Sequence, residues 1–357
     1  MKIIATCIPK YESDLIESNC RYMLTFCDAI LLFDNYNIDN TMDIVQSMIK
    51  EGLNIIVFQP SLSKGGDFID AREHIIEEMV NAAFQAYGAD LVFIFDPDEF
   101  LFHVDGHNPR GELENLAEDC EYRFQWRNYI YQNDPVDNTG FLPAFFSEYQ
   151  ITPYPFYKTA LSKYLFNRYS PSFETGNHAL AFSNPSERGK IPMIKSEKLH
   201  LAHFPLRSKM QTMTKILTGK IQLWGLNYPP DNLVGFHLSD IYDNIMNTGM
   251  ISESDVRQYS LYYAVQEEYH STITSAAGGM PITHCAGDVR LKYTNYDANE
   301  AQRLFLLFLM DRVKKIIQGV HDQNDEKISL LKKEIESLTP RKLEKLLNRF
   351  FHFFRLK

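Results

Sequence analysis

The residues with the clearest chemical potential are Asp96 and Asp98, which stand one residue apart directly after the apolar run Leu91–Phe95. Two carboxylates at a strand mouth offer hard oxygen ligands to a divalent cation such as Mg²⁺ or Mn²⁺, held largely through the phosphates of a ligand. Taken alone, the motif is equally an acidic turn shaped by Pro97. It does not stand alone, because polar clusters follow three other apolar runs: Lys10-Tyr11-Glu12, Asp34 to Thr41, and Gly65-Gly66-Asp67 with Asp70 and Arg72. Several such clusters aimed at one rim suggest a bound cation and a polar, charged ligand.

The elements that must position these residues alternate. Strand-like runs at Ile3–Ile8, Ala29–Phe33, Asn54–Phe58 and Leu91–Phe95 are separated by segments with helical apolar spacing, at Leu15 to Phe26, Met42 to Ile49 and Ile76 to Tyr87. That order predicts an α/β fold with a mainly parallel central sheet, whose ligands bind at the carboxyl ends of the strands. The spacing after about residue 226 is mainly helical, which divides the chain into 1–225, a helical extension 226–320 and a charged amphipathic tail 321–357. Residues 122–173 form a separate aromatic block, with 16 of 52 positions Phe, Tyr or Trp against 13% overall.

Composition narrows the function. A formal charge of −10 argues against a nucleic-acid partner, which requires a basic footprint. Five cysteines without a paired spacing fit a reducing compartment, hence a cytoplasmic protein. No apolar run is long enough to cross a bilayer. Pro9-Lys10-Tyr11 is not the glycine-rich turn of a dinucleotide-binding fold. A dehalogenase-type phosphatase would carry its Asp-x-Asp after the first strand, not the fourth.

Together, Ile-Pro-Lys-Tyr-Glu (8–12), Phe-Asp-Asn-Tyr-Asn-Ile-Asp-Asn-Thr (33–41), Ala71-Arg72 and Phe-Asp-Pro-Asp-Glu-Phe (95–100) resemble the family-2-type glycosyltransferases in order and spacing. Thr175-Gly176-Asn177-His178 and the run His203 to Ser208 extend the resemblance to about residue 220. It implies a GT-A nucleotide-diphosphosugar-binding fold with a C-terminal helical region. The implied activity is an inverting, metal-dependent hexosyltransferase acting from a nucleotide sugar, UDP favoured, onto a glycan or lipid-linked glycan of bacterial surface polysaccharide or lipopolysaccharide. It also implies roles. Glu12, Asn35 and Asp39 would lie at the nucleoside, and Arg72, Arg207, Ser208 and Lys215 at the diphosphate. Asp96 would serve ribose and metal, while Asp98 and His203 would ligate Mn²⁺ or Mg²⁺. Tyr11 and Asn37 depart from the family's Asn and Ser, which puts the nucleotide in question.

Direct displacement needs a carboxylate base on the acceptor hydroxyl. Glu174, beside Thr-Gly-Asn-His, is the first choice, with Glu148 and Asp134 as alternatives; His178 reads as a core or acceptor-side histidine. Trp126, Tyr129 and Tyr131 are the aromatics best placed to receive sugar rings, although a core beneath an insertion explains many of the block. The rival from another class is a catalytically silent scaffold or glycan-binding subunit of the same fold.

The tail carries its own expectation. Thr339 to Lys357 holds Arg341, Lys342, Lys345, Arg349, Arg355 and Lys357 against the single acid Glu344, with Leu343, Leu346, Leu347, Phe350 and Phe354 at helical spacing. Such a helix can dock on the anionic inner face of a membrane, or pack on a domain or a second copy in a homo-oligomer. Full-length protein should pellet with anionic vesicles at low salt while a chain ending at Glu336 does not. Equal, poor pelleting would make the tail an assembly element.

Overall fold

A computed structural model of the protein describes residues 1–35, 37, 39–60, 68–135, 140–153, 155–225, 239–281 and 291–294. The tail 321–357, residues 295–320 of the expected helical extension and the Gly65-Gly66-Asp67 cluster lie outside the described residues.

The first half alternates strand and helix: β1 Ile3–Cys7, α1 Ile16–Met23, β2 Ala29–Phe33, α2 Thr41–Glu51, β3 Ile55–Phe58, α3 Phe68–Gln85 and β4 Leu91–Phe95. Then follow β5 Glu99–His103, α4 Arg110–Glu114, β6 Glu121–Asn128, β7 Glu148–Ile151, β8 Tyr157–Ser162, α5 Lys163–Tyr169, β9 Ser172–Phe173, β10 Leu180–Ala181, α6 Pro185–Arg188 and β11 Met193–His203. The last described elements are α7 Lys209–Gly225, α8 Ser239–Thr248, α9 Glu253–Leu261 and β12 Thr274–Ala277.

Eight strands form one sheet in the order β3-β2-β1-β4-β8-β6-β11-β5. Its first four are parallel, as the alternation requires, and β11 is parallel to β6, while β8 and β5 run against their neighbours. Side chains alternate across the strands, so the continuous apolar runs serve two cores. Ile3, Ala5, Cys7, Leu91, Phe93 and Phe95 face the core under α1 and α2. Ile4, Val92 and Ile94 join α3 residues Ile76, Met79 and Val80 on the other face.

The described part of 226–320 packs against residues of 1–225. Ile241, Ile245 and Val256 share a third apolar cluster with Tyr131, Leu206 and Met213. Strand β12 pairs with β7 and adds a strand to a segment expected to be mainly helical.

Residues 291–294 are fastened to α1 by one side chain. Glu17 is fully buried and accepts the backbone N–H groups of Lys292 (2.8 Å), Tyr293 (2.8 Å) and Thr294 (2.9 Å), the Thr294 hydroxyl, and Nε of Arg21. Bonds to a buried charged acceptor are each worth about 1.5–3 kcal/mol. Glu17→Gln keeps the shape but turns one acceptor into a donor facing those N–H groups. It should lower unfolding stability by about 2–3 kcal/mol, read as an earlier midpoint in urea; an unchanged midpoint would show that the anchor is dispensable.

Candidate active site

Two loops at the carboxyl ends of β1 and β2 are stitched together before any ligand is considered. The Tyr11 N–H donates to Asn37 Oδ1 (2.7 Å), Glu12 N–H to the Thr41 hydroxyl (2.9 Å) and Ser13 N–H to Asp39 Oδ2 (3.2 Å). Asn37 in turn donates to Pro9 O (3.0 Å) and Lys10 Nζ to Asn35 O (2.6 Å). The Asp-Asn-x-x-x-Asp-x-Thr run is therefore first a set of acceptors for the opposing backbone. Its two departures from the family pattern meet each other: Tyr11 has φ 58°, a left-handed conformation that asparagine tolerates more easily than tyrosine, and Asn37 receives its N–H. Asp39 is spent on Ser13 N and Thr41 N; burial raises its carboxyl against the pull of those bonds. Asn35 remains half-buried at the rim.

Beneath the rim lies Arg207, with no solvent exposure. It donates to both oxygens of Asp14 (2.9 and 3.0 Å), to Phe204 O (3.0 Å) and to Glu12. The expected diphosphate contact of Arg207 is replaced by this tie between the β1 loop and the chain after β11. Ser208 is likewise engaged elsewhere, its hydroxyl accepting Gln211 N–H (3.1 Å) at the start of α7. Burial pushes Glu12 up to about 8, although Arg207 pulls it back.

Asp96, Pro97, Asp98 and Glu99 form a tight turn closed by Glu99 N–H to Asp96 O (2.9 Å), with proline at the position that favours its fixed φ. Both Asp96 oxygens are engaged, Oδ1 by Arg72 (2.8 Å) and Oδ2 by Lys158 (2.7 Å). Burial opposes the charge of Asp96, but Lys158 and Arg72 hold its carboxyl below the usual range. Lys158 is fully buried and also meets Glu99 Oε1 at 3.3 Å. Burial raises Glu99 to about 8 despite that lysine.

Asp98 and His203 face each other. Backbone Phe204 N–H to Asp98 O (2.8 Å) brings the turn beside the end of β11, and His203 Nε2 lies 3.6 Å from Asp98 Oδ2. A directional relay sets the imidazole. The carbonyl of Leu261 accepts Gln150 Nε2–H (2.6 Å), Gln150 Oε1 accepts Asn128 Nδ2–H (3.0 Å), and Asn128 Oδ1 meets His203 Nδ1 at 2.7 Å. Because the relay starts at a group that can only accept, His203 carries its proton on Nδ1 and presents the Nε2 lone pair to Asp98. Burial lowers the affinity of His203 for a second proton, against the pull of Asp98. Lys215, at 3.2 Å, and Arg207, at 3.9 Å, complete the surroundings of Asp98. Burial works against Asp98's charge, but these cations and His203 hold it well below the usual carboxylate range.

A carboxylate oxygen and a lone pair held from behind are chemically suited to a divalent cation. Among the described residues no group of three or more His, Cys, Asp and Glu side chains could hold a metal ion. Of the three residues expected at the metal, Asp98 and His203 face each other and Asp96 is paired with Arg72 and Lys158. His200, three residues earlier on β11, projects from the other face and meets Phe102 edge-on.

Trp126, whose indole stacks on His203 at 4.3 Å, also meets His178 (5.3 Å) and the exposed Phe156 (5.5 Å). Glu174 is exposed and within electrostatic reach of His178. The other two aromatic candidates are core residues. Tyr129 and Tyr131 are fully buried, the first stacked on Phe204 and the second bonded to Asp134. Asp134 also accepts Lys209 N–H, and Glu148 is bound by Arg257 and Ser275, so both alternative bases already serve the fold. Lys158, Asp14 and Asn128 escaped the sequence reading. Only Lys158 left a local mark, a lone charge inside the strand Tyr157–Ser162.

No family model and no curated protein matches the chain. Solved structures do. A mannosyltransferase from Pyrobaculum calidifontis, in complex with GDP-mannose and Mn²⁺, aligns over 100% of this chain and 88% of its own at 12% identity and TM-score 0.35. A protein assigned as a glucose-1-phosphate thymidylyltransferase from Bacillus anthracis, in complex with sucrose, aligns over 55% and 87% at 10% identity and TM-score 0.30. A UDP-glucose pyrophosphorylase complexed with UDP-glucose aligns over 57% and 90% at 10% identity and TM-score 0.30. At these scores the likeness assigns no residue and no substrate to this chain.

The buried Arg207 network makes a stability prediction. Arg207→Met leaves Asp14 and Glu12 without their cation, and breaking such a pair costs about 3–5 kcal/mol. Adding Asp14→Asn should recover part of that loss in urea denaturation, because one uncompensated charge is gone. A double variant no more stable than the single one would refute the ionic account.

Proposed function

We propose that the chain transfers a sugar from a nucleotide-diphosphosugar, UDP favoured, to a glycan or glycolipid acceptor with inversion. The observation that supports this most directly is the Asp98 oxygen and fixed His203 lone pair facing one another across 3.6 Å at the carboxyl end of the sheet. Asp98 and His203 would hold Mn²⁺ or Mg²⁺. Bound there, the cation supplies Lewis-acid stabilisation to the departing diphosphate.

The chain's own residues supply the remainder. Lys215 and Arg72, with side chains 29% and 35% exposed, are the partly open cations at the rim and would neutralise the diphosphate in place of Arg207 and Ser208. Asp96, held by Arg72 and Lys158, would offer its carboxylate to the ribose. Asn35 would read the nucleoside, with Glu12 and Asp39 fixing the loops around it. The acceptor's proton would leave toward the turn that begins at Glu174.

Among the described residues no helix is long and apolar enough to cross a membrane. We assign the protein to the cytoplasm, peripheral on the inner face of the membrane where a lipid-linked acceptor would lie.

The test is a thermal shift with UDP, GDP, dTDP and CMP, each with and without Mn²⁺, since a ligand of the native state raises stability. One nucleotide should raise the melting temperature more with metal than without. Asp98→Asn should remain folded, lose that metal increment and lose at least about a hundredfold in turnover, roughly 3 kcal/mol. Near-normal turnover of Asp98→Asn in excess chelator would end the metal-dependent reading. Metal-dependent nucleotide binding without turnover on any acceptor would favour the silent subunit.

A further inference from the structure

The segment 174–178 is folded at a cost. Gly176 has φ 80° and Asn177 φ 59°, two successive left-handed residues of which the second has a side chain. Asn177 is 3% exposed, yet its Nδ2 has no hydrogen-bond partner among the described residues. A buried amide left unpaired in a strained turn calls for a functional account. The indole Nε1 of Trp126 is buried and unpartnered among the described residues too.

This turn delivers His178. Its Nδ1 lies 2.7 Å from Tyr157 O, an acceptor only, so Nδ1 bears the proton and Nε2 the lone pair. The ring is held at three further points. It meets Trp126 edge-on at 5.3 Å, lies 5.4 Å from Phe156, and rests over Gly176, where a Cβ would come within 2.6 Å of Nε2. Glycine is thus required at 176 twice, by φ and by the imidazole. The same indole contacts both His178 and His203, one of the pair proposed above to hold the metal. Phe156 is 39% exposed beside it, a flat apolar face of the kind on which a sugar ring stacks.

Resting on the glycosyl-transfer reading, we propose that the acceptor hydroxyl binds where His178 meets Trp126 and the exposed Phe156, and that His178, not Glu174, is the general base. The acceptor oxygen attacks the anomeric carbon and forms the new C–O bond. The bond from that carbon to the diphosphate oxygen breaks, and its electron pair leaves with the diphosphate. The hydroxyl proton passes to His178 Nε2 and then to solvent. Burial lowers the proton affinity of His178, as does Lys158, while the Tyr157 carbonyl, Asp96 and Glu174 raise it. The imidazole is consequently neutral near pH 7 and able to accept. Glu174, exposed at the start of the turn, makes the smallest of these contributions.

His178→Asn tests this cleanly, because an asparagine amide can replace the Nδ1–H bond to Tyr157 O but brings no basic lone pair. The measurements use UDP-glucose and GDP-mannose as donors, water and methyl glycosides as acceptors, and calorimetry of the cognate nucleotide with Mn²⁺. His178→Asn should bind nucleotide within about twofold of wild type and lose at least about a hundredfold in kcat. The acid limb of the wild-type kcat profile should move to lower pH in Glu174→Gln, which keeps at least about a tenth of the turnover, since removing a negative charge lowers the histidine's proton affinity. Nitrogen NMR should find His178 neutral at pH 7 with its proton on Nδ1, a readout that needs no substrate. Three results would overturn the proposal: the Nε2–H tautomer, a kcat for His178→Asn within tenfold of wild type, or a Glu174→Gln variant dead at every pH. Failure of the wild-type protein to bind any nucleotide would instead defeat the parent reading, and this one with it.

Discussion

Buried charge has to be compensated, and that requirement organises the carboxyl end of the sheet. Glu12, Asp14, Asp98 and Glu99 are each at most 8% exposed and lie within one region. Several kcal/mol per ion are lost on leaving water, so the carboxylates can stay there only with cations among them. Arg207 meets Asp14 and Glu12, Lys158 meets Asp96 and Glu99, Arg72 meets Asp96, and Lys215 meets Asp98. These cations come from α3, β8, the chain after β11, and α7. The ion pairs therefore fasten four distant segments to the loops of β1 and β4. Burial and the neighbouring carboxylates push Glu12 and Glu99 up to about 8, whereas Asp98, beside Lys215, His203 and Arg207, is held well below the usual carboxylate range. The network thus divides its carboxylates into those that hold the fold and one kept as an anion with a histidine lone pair before it.

The orientation of that histidine depends on the segment expected to be a helical extension, 226–320. The carbonyl of Leu261, at the end of α9, begins the relay through Gln150 and Asn128 that fixes the proton of His203. Strand β12 holds β7 and thereby Gln150 from the other side, with Thr274 to Ala277 paired along Ile151 to Glu148. Residues 291–294 are anchored on α1 just after the loop that carries Glu12 and Asp14. An imidazole is fixed when its second nitrogen is occupied, and for His203 the occupant, Asn128, is itself oriented through the segment that follows the sheet.

The same turn chemistry explains why the central motif can be read two ways. Asp96-Pro97-Asp98-Glu99 is an acidic turn in the plain sense, closed by a backbone bond with proline where its φ is preset. It is also the device that separates the two aspartates, sending Asp96 toward Lys158 and Arg72 and Asp98 toward Lys215 and His203. The aromatic block divides in a comparable manner. Tyr129 and Tyr131 close the core, while Trp126 and Phe156 remain beside the site. Composition alone treats all four alike, because stacking faces serve a core as well as a sugar.

By itself the sequence determined the parallel half of the sheet, the helices between its strands, and the rim where polar residues gather. Those features follow from local periodicity: apolar runs buried on both faces read as parallel strands, and polar residues must cluster where such runs end. It also marked Asp96, Asp98, Arg72, His203 and the 174–178 turn, since each lies within a few residues of a strand end or helix start. Only the tertiary structure decided what these residues do to one another. Arg207 and Ser208 sit in the same run as His203, yet one is sealed beneath the rim and the other caps α7. Lys158, Asp14 and Asn128 gain their roles through partners far away in the chain, at separations of 62, 193 and 75 residues. Proton placement, charge compensation and burial are properties of groups brought together in space, and local spacing does not encode them.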